Sequence, residues 1–101
     1  MKIAVNKCYG SFGVNEAVFN ELGIEWDGYG ELHNEDFGIE RNYKLAYRNH
    51  PRLIAAIEKV GEKGASGQWA KIQITDIPDN IDWEIKSYNG YEIVAEKHRS
   101  W

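Results

Sequence analysis

Apolar and polar residues alternate at the start of the chain, where Ile3 and Val5 share one face of a segment from Lys2 to Lys7. That two-residue period predicts a strand. Gly10 and Gly13 then mark a turn, and the period lengthens. Val14, Ala17, Val18 and Leu22 recur at helical spacing, behind Asn15 as N-cap and ahead of Gly23, which is placed for a left-handed C′ residue. From Ile24 to Tyr43 no period holds. Asp27-Gly-Tyr-Gly30 and Asn34-Glu-Asp-Phe-Gly38 are turn sequences, and so long an irregular stretch in a small domain is often functional or ordered by a partner.

Helical spacing returns at Leu53, Ile54, Ile57 and Val60, with Pro51 suited to the first helical position, Asn49 or His50 to the cap, and Gly61 or Gly64 to the end. Alternation over Gln68–Thr75 puts Ala70, Ile72 and Ile74 on one face and Lys71 and Gln73 on the other, until Pro78 stops the strand. Between Trp83 and Glu96, Asn89-Gly90 separates two aromatic-flanked runs, a strong signal for a type I′ hairpin. The order predicts an α+β fold. We expect one small domain over residues 1–101, with an antiparallel or mixed sheet of about four strands and two helices packed on one face.

A chain of 101 residues can bury a core without staples, and its four Trp, six Tyr and three Phe are most simply core fillers. The lone Cys8 forms no internal disulfide and suits a reducing cytoplasm. No run is long or apolar enough for a membrane span or signal peptide, so a cytoplasmic protein is expected. The net charge of −4 argues against direct nucleic-acid binding. Its distribution adds more. Glu16, Glu21, Glu25, Asp27, Glu31, Glu35, Asp36 and Glu40 fall in a stretch without Lys or Arg, and Arg41, Lys44, Arg48 and Arg52 follow without an acid. Either the two segments pair in the fold, or the molecule carries an acidic wall and a basic pocket.

Cys8, His33, His50 and His98 lack the close pairing of zinc ligands, Tyr29 breaks any EF-hand pattern, and no cofactor or metal is expected. Ser11 has no neighbouring base and Cys8 reads more simply as a structural thiol, so no enzyme is expected. The loop from Lys7 to Gly13 lacks the length and Gly-Lys-Ser/Thr ending of a phosphate-binding P-loop. It still offers backbone donors at Gly10, Ser11 and Gly13, a cation at Lys7 and stacking rings at Tyr9 and Phe12. Tyr43, Arg48 and Arg52, at the approach to the second helix, are its expected companions around a small phosphorylated or nucleotide ligand. The plainer alternatives are a tight strand-to-helix turn and a solvated helix approach. Trp101, with Arg99 beside it, either docks on its own domain or makes a subunit contact, and a homo-oligomer is expected to complete the pocket.

Lys2-Ile-Ala-Val-Asn-Lys-Cys-Tyr-Gly-Ser-Phe-Gly13, the mid-chain Arg48-Asn-His-Pro-Arg-Leu-Ile54 and the endings Trp83-Glu-Ile and Val94-Ala-Glu-Lys-His-Arg-Ser-Trp101 span the chain. Together they resemble a family of small, uncharacterised bacteriophage and prophage proteins, in which a second glycine is common where this chain has Ser11. The resemblance implies an anti-defence context: sequestration of a nucleotide immune signal in the host cytoplasm. Alternatively, the acidic segment with Glu31, Glu35 and Asp36 mimics nucleic acid and obstructs a host defence nuclease, as an anti-CRISPR-like inhibitor would. A phage structural or assembly accessory is the third reading.

Overall fold

The computed structural model of the chain describes residues 1–39 and 46–96. Strand β1 (Lys2–Asn6) leads into helix α1 (Glu16–Leu22), which Asn15 caps by accepting the Ala17 N–H at 3.2 Å and Gly23 ends at φ 73°. Single 3₁₀ turns occupy Asn34–Phe37 and Ala46–Asn49. Helix α2 (Pro51–Val60) starts with Pro51 behind His50, whose Nδ1 accepts the Arg52 N–H at 3.1 Å. Its apolar stripe buries Leu53, Ile54 and Ile57. Gly61, at φ 92°, breaks the axis, and the short helix α3 (Glu62–Ala65) follows at once. Strands β2 (Ile72–Asp76), β3 (Trp83–Tyr88) and β4 (Tyr91–Glu96) follow. Asn89 and Gly90 take φ of 53° and 90°, the pair of positive angles a type I′ turn needs. The core gathers Ala4 from β1, Val14 from the turn before α1, Val18 and Phe19 from α1, Leu53 and Ile57 from α2, and Ile72 from β2.

The protein is a small α+β fold, with three α-helices and two antiparallel two-stranded sheets, β1–β2 and β3–β4, among the described residues. The single sheet of about four strands, with two helices, is therefore corrected. The physical reason lies at the edges of the β1–β2 ribbon. Lys7 N–H donates to the Lys71 carbonyl and Ile77 N–H to the Met1 carbonyl, so odd-numbered β1 residues bond to β2 and even-numbered ones face the other way. On that second edge, Asn6 N–H donates to Glu92 Oε1 at 2.8 Å and the Ala4 carbonyl accepts from Arg48 Nη1 at 3.3 Å. Strand β4 lies beside β1, but its Glu92 side chain rather than its backbone makes the contact. On the far edge of β2, Ile72 N–H donates to Ser66 Oγ and Ile74 N–H to Glu62 Oε2, at 2.9 and 2.6 Å. Side chains thus occupy the sites a third strand would have taken. No helix among the described residues is long and apolar enough to cross a membrane.

Candidate functional site

Arg48 is 2% exposed and forms a two-pronged ion pair with Glu92, Nη1 to Oε1 at 2.7 Å and Nη2 to Oε2 at 3.1 Å. Its guanidinium carbon lies 3.4 Å from the centre of the Phe12 ring. Nε, which has no hydrogen-bond partner among the described residues, is part of the guanidinium that faces this ring. The loop and Arg48 do meet in space, but they meet inside the protein. Arg52 donates from Nη2 to the Leu22 carbonyl at 2.9 Å, closing the C-terminus of α1. Both guanidinium groups thus serve the chain's own backbone and carboxylate. Tyr43, Arg99 and Trp101 lie outside the described residues.

The two ends of the loop from Lys7 to Gly13 line different grooves. Gly10 sits between them, pressed so closely against the Trp69 carbonyl and the hairpin that a Cβ there would overlap the Trp69 oxygen. Asn6 supports this junction. Its amide donates to the carbonyls of Cys8 and Gly90, while its oxygen accepts from Lys71 N–H and the Cys8 thiol, so the buried side chain is fully used. Cys8 is half-buried and its sulfur lies 3.4 Å from the Trp69 carbonyl oxygen.

The first groove, of about 770 Å³, collects Lys7, Lys63 and Lys71 around Tyr91. Lys7 comes from the end of β1, Lys71 is its antiparallel neighbour, and Lys63 projects from α3. Lys7 Nζ stands 5.2 Å from the Tyr91 ring centre, and Tyr9, 78% exposed, packs on Tyr91 at 5.6 Å between centroids. None of the three lysines makes an ion pair with a described residue. Glu62 is the carboxylate on this groove, and it accepts the Ile74 N–H.

The second groove, of about 740 Å³, is lined by Ser11, Phe12 and Gly13 at the loop's other end and by Trp26, Tyr29 and Trp69. Its charged lining residues are Glu16 and Glu31. Of the acidic segment, Glu31 thus reaches a groove, Asp36 accepts the His33 N–H at 2.9 Å, and Glu35 stands exposed on its 3₁₀ turn. Sequence reasoning missed Lys63, Lys71 and Tyr91 on the first groove and Glu16, Trp26, Tyr29 and Trp69 on the second. The signal for Lys71 was its place on the polar face of a strand. Its closeness to Lys7 follows only from the register.

Asp27 fixes the wall that carries Tyr29 and Glu31, accepting the N–H groups of Tyr29, Gly30 and Glu31 at 2.8, 2.7 and 3.1 Å. Burial works against its charged form, but the donors of Gly30, Tyr29 and Glu31 outweigh that and hold the carboxyl below its ordinary range. A carboxyl with a depressed native pKa stabilises the fold above the unfolded value, and the contribution is lost as pH falls through the native one. Asp27→Asn is accordingly expected to flatten the acid limb of a plot of urea midpoint against pH. An unchanged acid limb would contradict this account of the loop.

Among the described residues no group of three or more His, Cys, Asp or Glu side chains gathers as a metal site. Compared with protein-family models, curated proteins and solved structures, the chain matches none.

Proposed function

We propose that the protein is a stoichiometric binding protein, not an enzyme, that sequesters a small phosphorylated ligand in the lysine groove. The observation that carries this reading is the convergence of Lys7, Lys63 and Lys71 on one cleft without ion-pair partners among the described residues. Three mobile ammonium groups suit a phosphate as point charges, and Tyr9 and Tyr91 offer ring faces to a base. Of the loop residues expected to bind, Lys7 and Tyr9 serve this groove, and Lys63 and Lys71 take the places expected for Arg48 and Arg52. The resemblance to phage accessory proteins supplies the ligand class, a nucleotide signal of host defence met in the cytoplasm, and a homo-oligomer would close the groove.

Calorimetry with cyclic dinucleotides, cyclic trinucleotides and ADP-ribose is the direct test. At least one should bind near one equivalent per site and be recovered unchanged. Lys71→Ala should weaken that binding about tenfold, the scale of one charged hydrogen bond. The triple variant Lys7→Ala/Lys63→Ala/Lys71→Ala should abolish it. No heat and no thermal shift with any probe, or equal binding by the triple variant, would overturn the reading.

A further inference from the structure

The second groove has the opposite chemistry, and its walls are fixed. Ser11 N–H donates to the Trp69 carbonyl, Gly67 N–H to the Gly13 carbonyl and Val14 N–H to the Gly30 carbonyl, at 3.2, 3.0 and 3.1 Å. These bonds sew the segments around residues 11–14, 28–31 and 66–69 into one rim. Gly67 and Gly30 permit the closeness, because a Cβ on either would press into the backbone of Gly13 or Val14. Trp26 is steadied by Phe19, edge to face at 5.0 Å, and Asp27 holds the turn bearing Tyr29. Yet Tyr29 and Trp69 remain 84% and 68% exposed. Large rings on a fixed frame, left open to water, are costly unless something covers them.

The carboxylates decide what that is. Glu16 and Glu31 line the groove, no Lys or Arg does, and neither glutamate makes an ion pair with a described residue. An anion would be repelled here, whereas a cation gains from both the carboxylates and the π-systems of Trp26, Tyr29 and Trp69, with Phe12, whose ring carries Arg48, completing the wall. We infer that the cleft formed by Phe12, Trp26, Tyr29 and Trp69 with Glu16 and Glu31 is a binding site for an organic cation of the alkylammonium class. Compact, weakly hydrated ammonium heads fit such a cage best, and its preformed walls limit the ordering cost of binding. The site shares only Ser66 with the lysine groove and stands independently of what binds there.

Choline is the probe, with 3,3-dimethylbutan-1-ol as its uncharged counterpart of the same shape and a trimethyllysine peptide as the side-chain-borne source. In ¹H–¹⁵N spectra of the whole chain, choline is expected to shift the indole signals of Trp26 and Trp69. The uncharged alcohol should bind at least about tenfold more weakly. Trp69→Ala, and Glu16→Gln/Glu31→Gln separately, should each weaken choline about tenfold. All three positions are exposed or half-exposed, and a retained urea midpoint shows that the variants fold. Tighter binding of the peptide than of choline assigns the cation to a protein partner, and the reverse to a free metabolite. Equal binding of the alcohol and choline, or no indole shift with any of the three probes, would overturn the inference.

Discussion

Glu92→Ala is expected to cost about 3–5 kcal/mol of folding stability, read as a lower urea midpoint with an unchanged m-value. The substitution leaves the guanidinium of Arg48 without a counter-charge in a site where Arg48 is 2% exposed, and it orphans the Asn6 N–H. An unpaired buried charge and an unpaired buried donor act in the same direction. Glu92→Gln keeps an acceptor for Asn6 and should lose less. Arg48→Met/Glu92→Leu removes both charges together and should recover much of the loss, because the pair's attraction only offsets its desolvation. The exposed pair of Lys2 and Glu58, also at 2.7 Å, is the control: Glu58→Ala should pass almost unnoticed. A Glu92→Ala variant as stable as Glu58→Ala would show that the pair does not seal the β1 edge.

Gly90→Ala should be comparably damaging, through shape rather than charge. In an isolated type I′ hairpin, alanine at a positive φ costs roughly 1 kcal/mol. Here Gly90 also lies against the backbone of Gly10, so that a Cβ would overlap the Gly10 carbonyl. The Asn6 amide, which donates to the Gly90 carbonyl at 2.8 Å, ties the same turn to β1. Relief requires the whole hairpin to lift from the loop, with a total loss of about 3 kcal/mol or more. Asn89→Gly, at the neighbouring position with φ 53°, keeps the turn and touches no such contact, so its midpoint should stay near wild type. Equal, small effects at both positions would mean that the hairpin is not docked on the loop.

Local chemistry in the sequence carried the elements well. Asn15 and Gly23 bound α1, Pro51 opens α2 behind His50, and Asn89-Gly90 makes the hairpin, because each of these signals acts within a few residues. Alternation from Gln68 predicts a longer β2 than the chain forms: Gly67 and Trp69 bond to the loop instead, and the strand starts at Ile72. What could not be read is contact across the chain. Arg48 and Glu92 are 44 positions apart and neither has a neighbour in sequence that announces the other. A charged pair that would be ordinary on the surface becomes, between β1 and β4, the reason the sheet divides in two. The candidate site shows the same limit. Lys7, Tyr9, Ser11, Phe12 and Gly13 look in sequence like one binding loop, yet the pinned Gly10 divides them between a basic groove and an acidic aromatic one.

Closing a ribbon with side chains has a consequence for the life of the chain before it is fully folded. Glu92 reaches β1 from 86 positions after Asn6, so the segment Ile3-Ala4-Val5 emerges during synthesis long before its cover does. Until then it is a short, uncharged, β-prone stretch with backbone groups unmet, on both edges before β2 is made and on one edge after, able to pair with the same stretch of a neighbouring nascent chain. Lys2 and Lys7, one at each end, place like charges where two such stretches would align, and so act as gatekeepers during that interval.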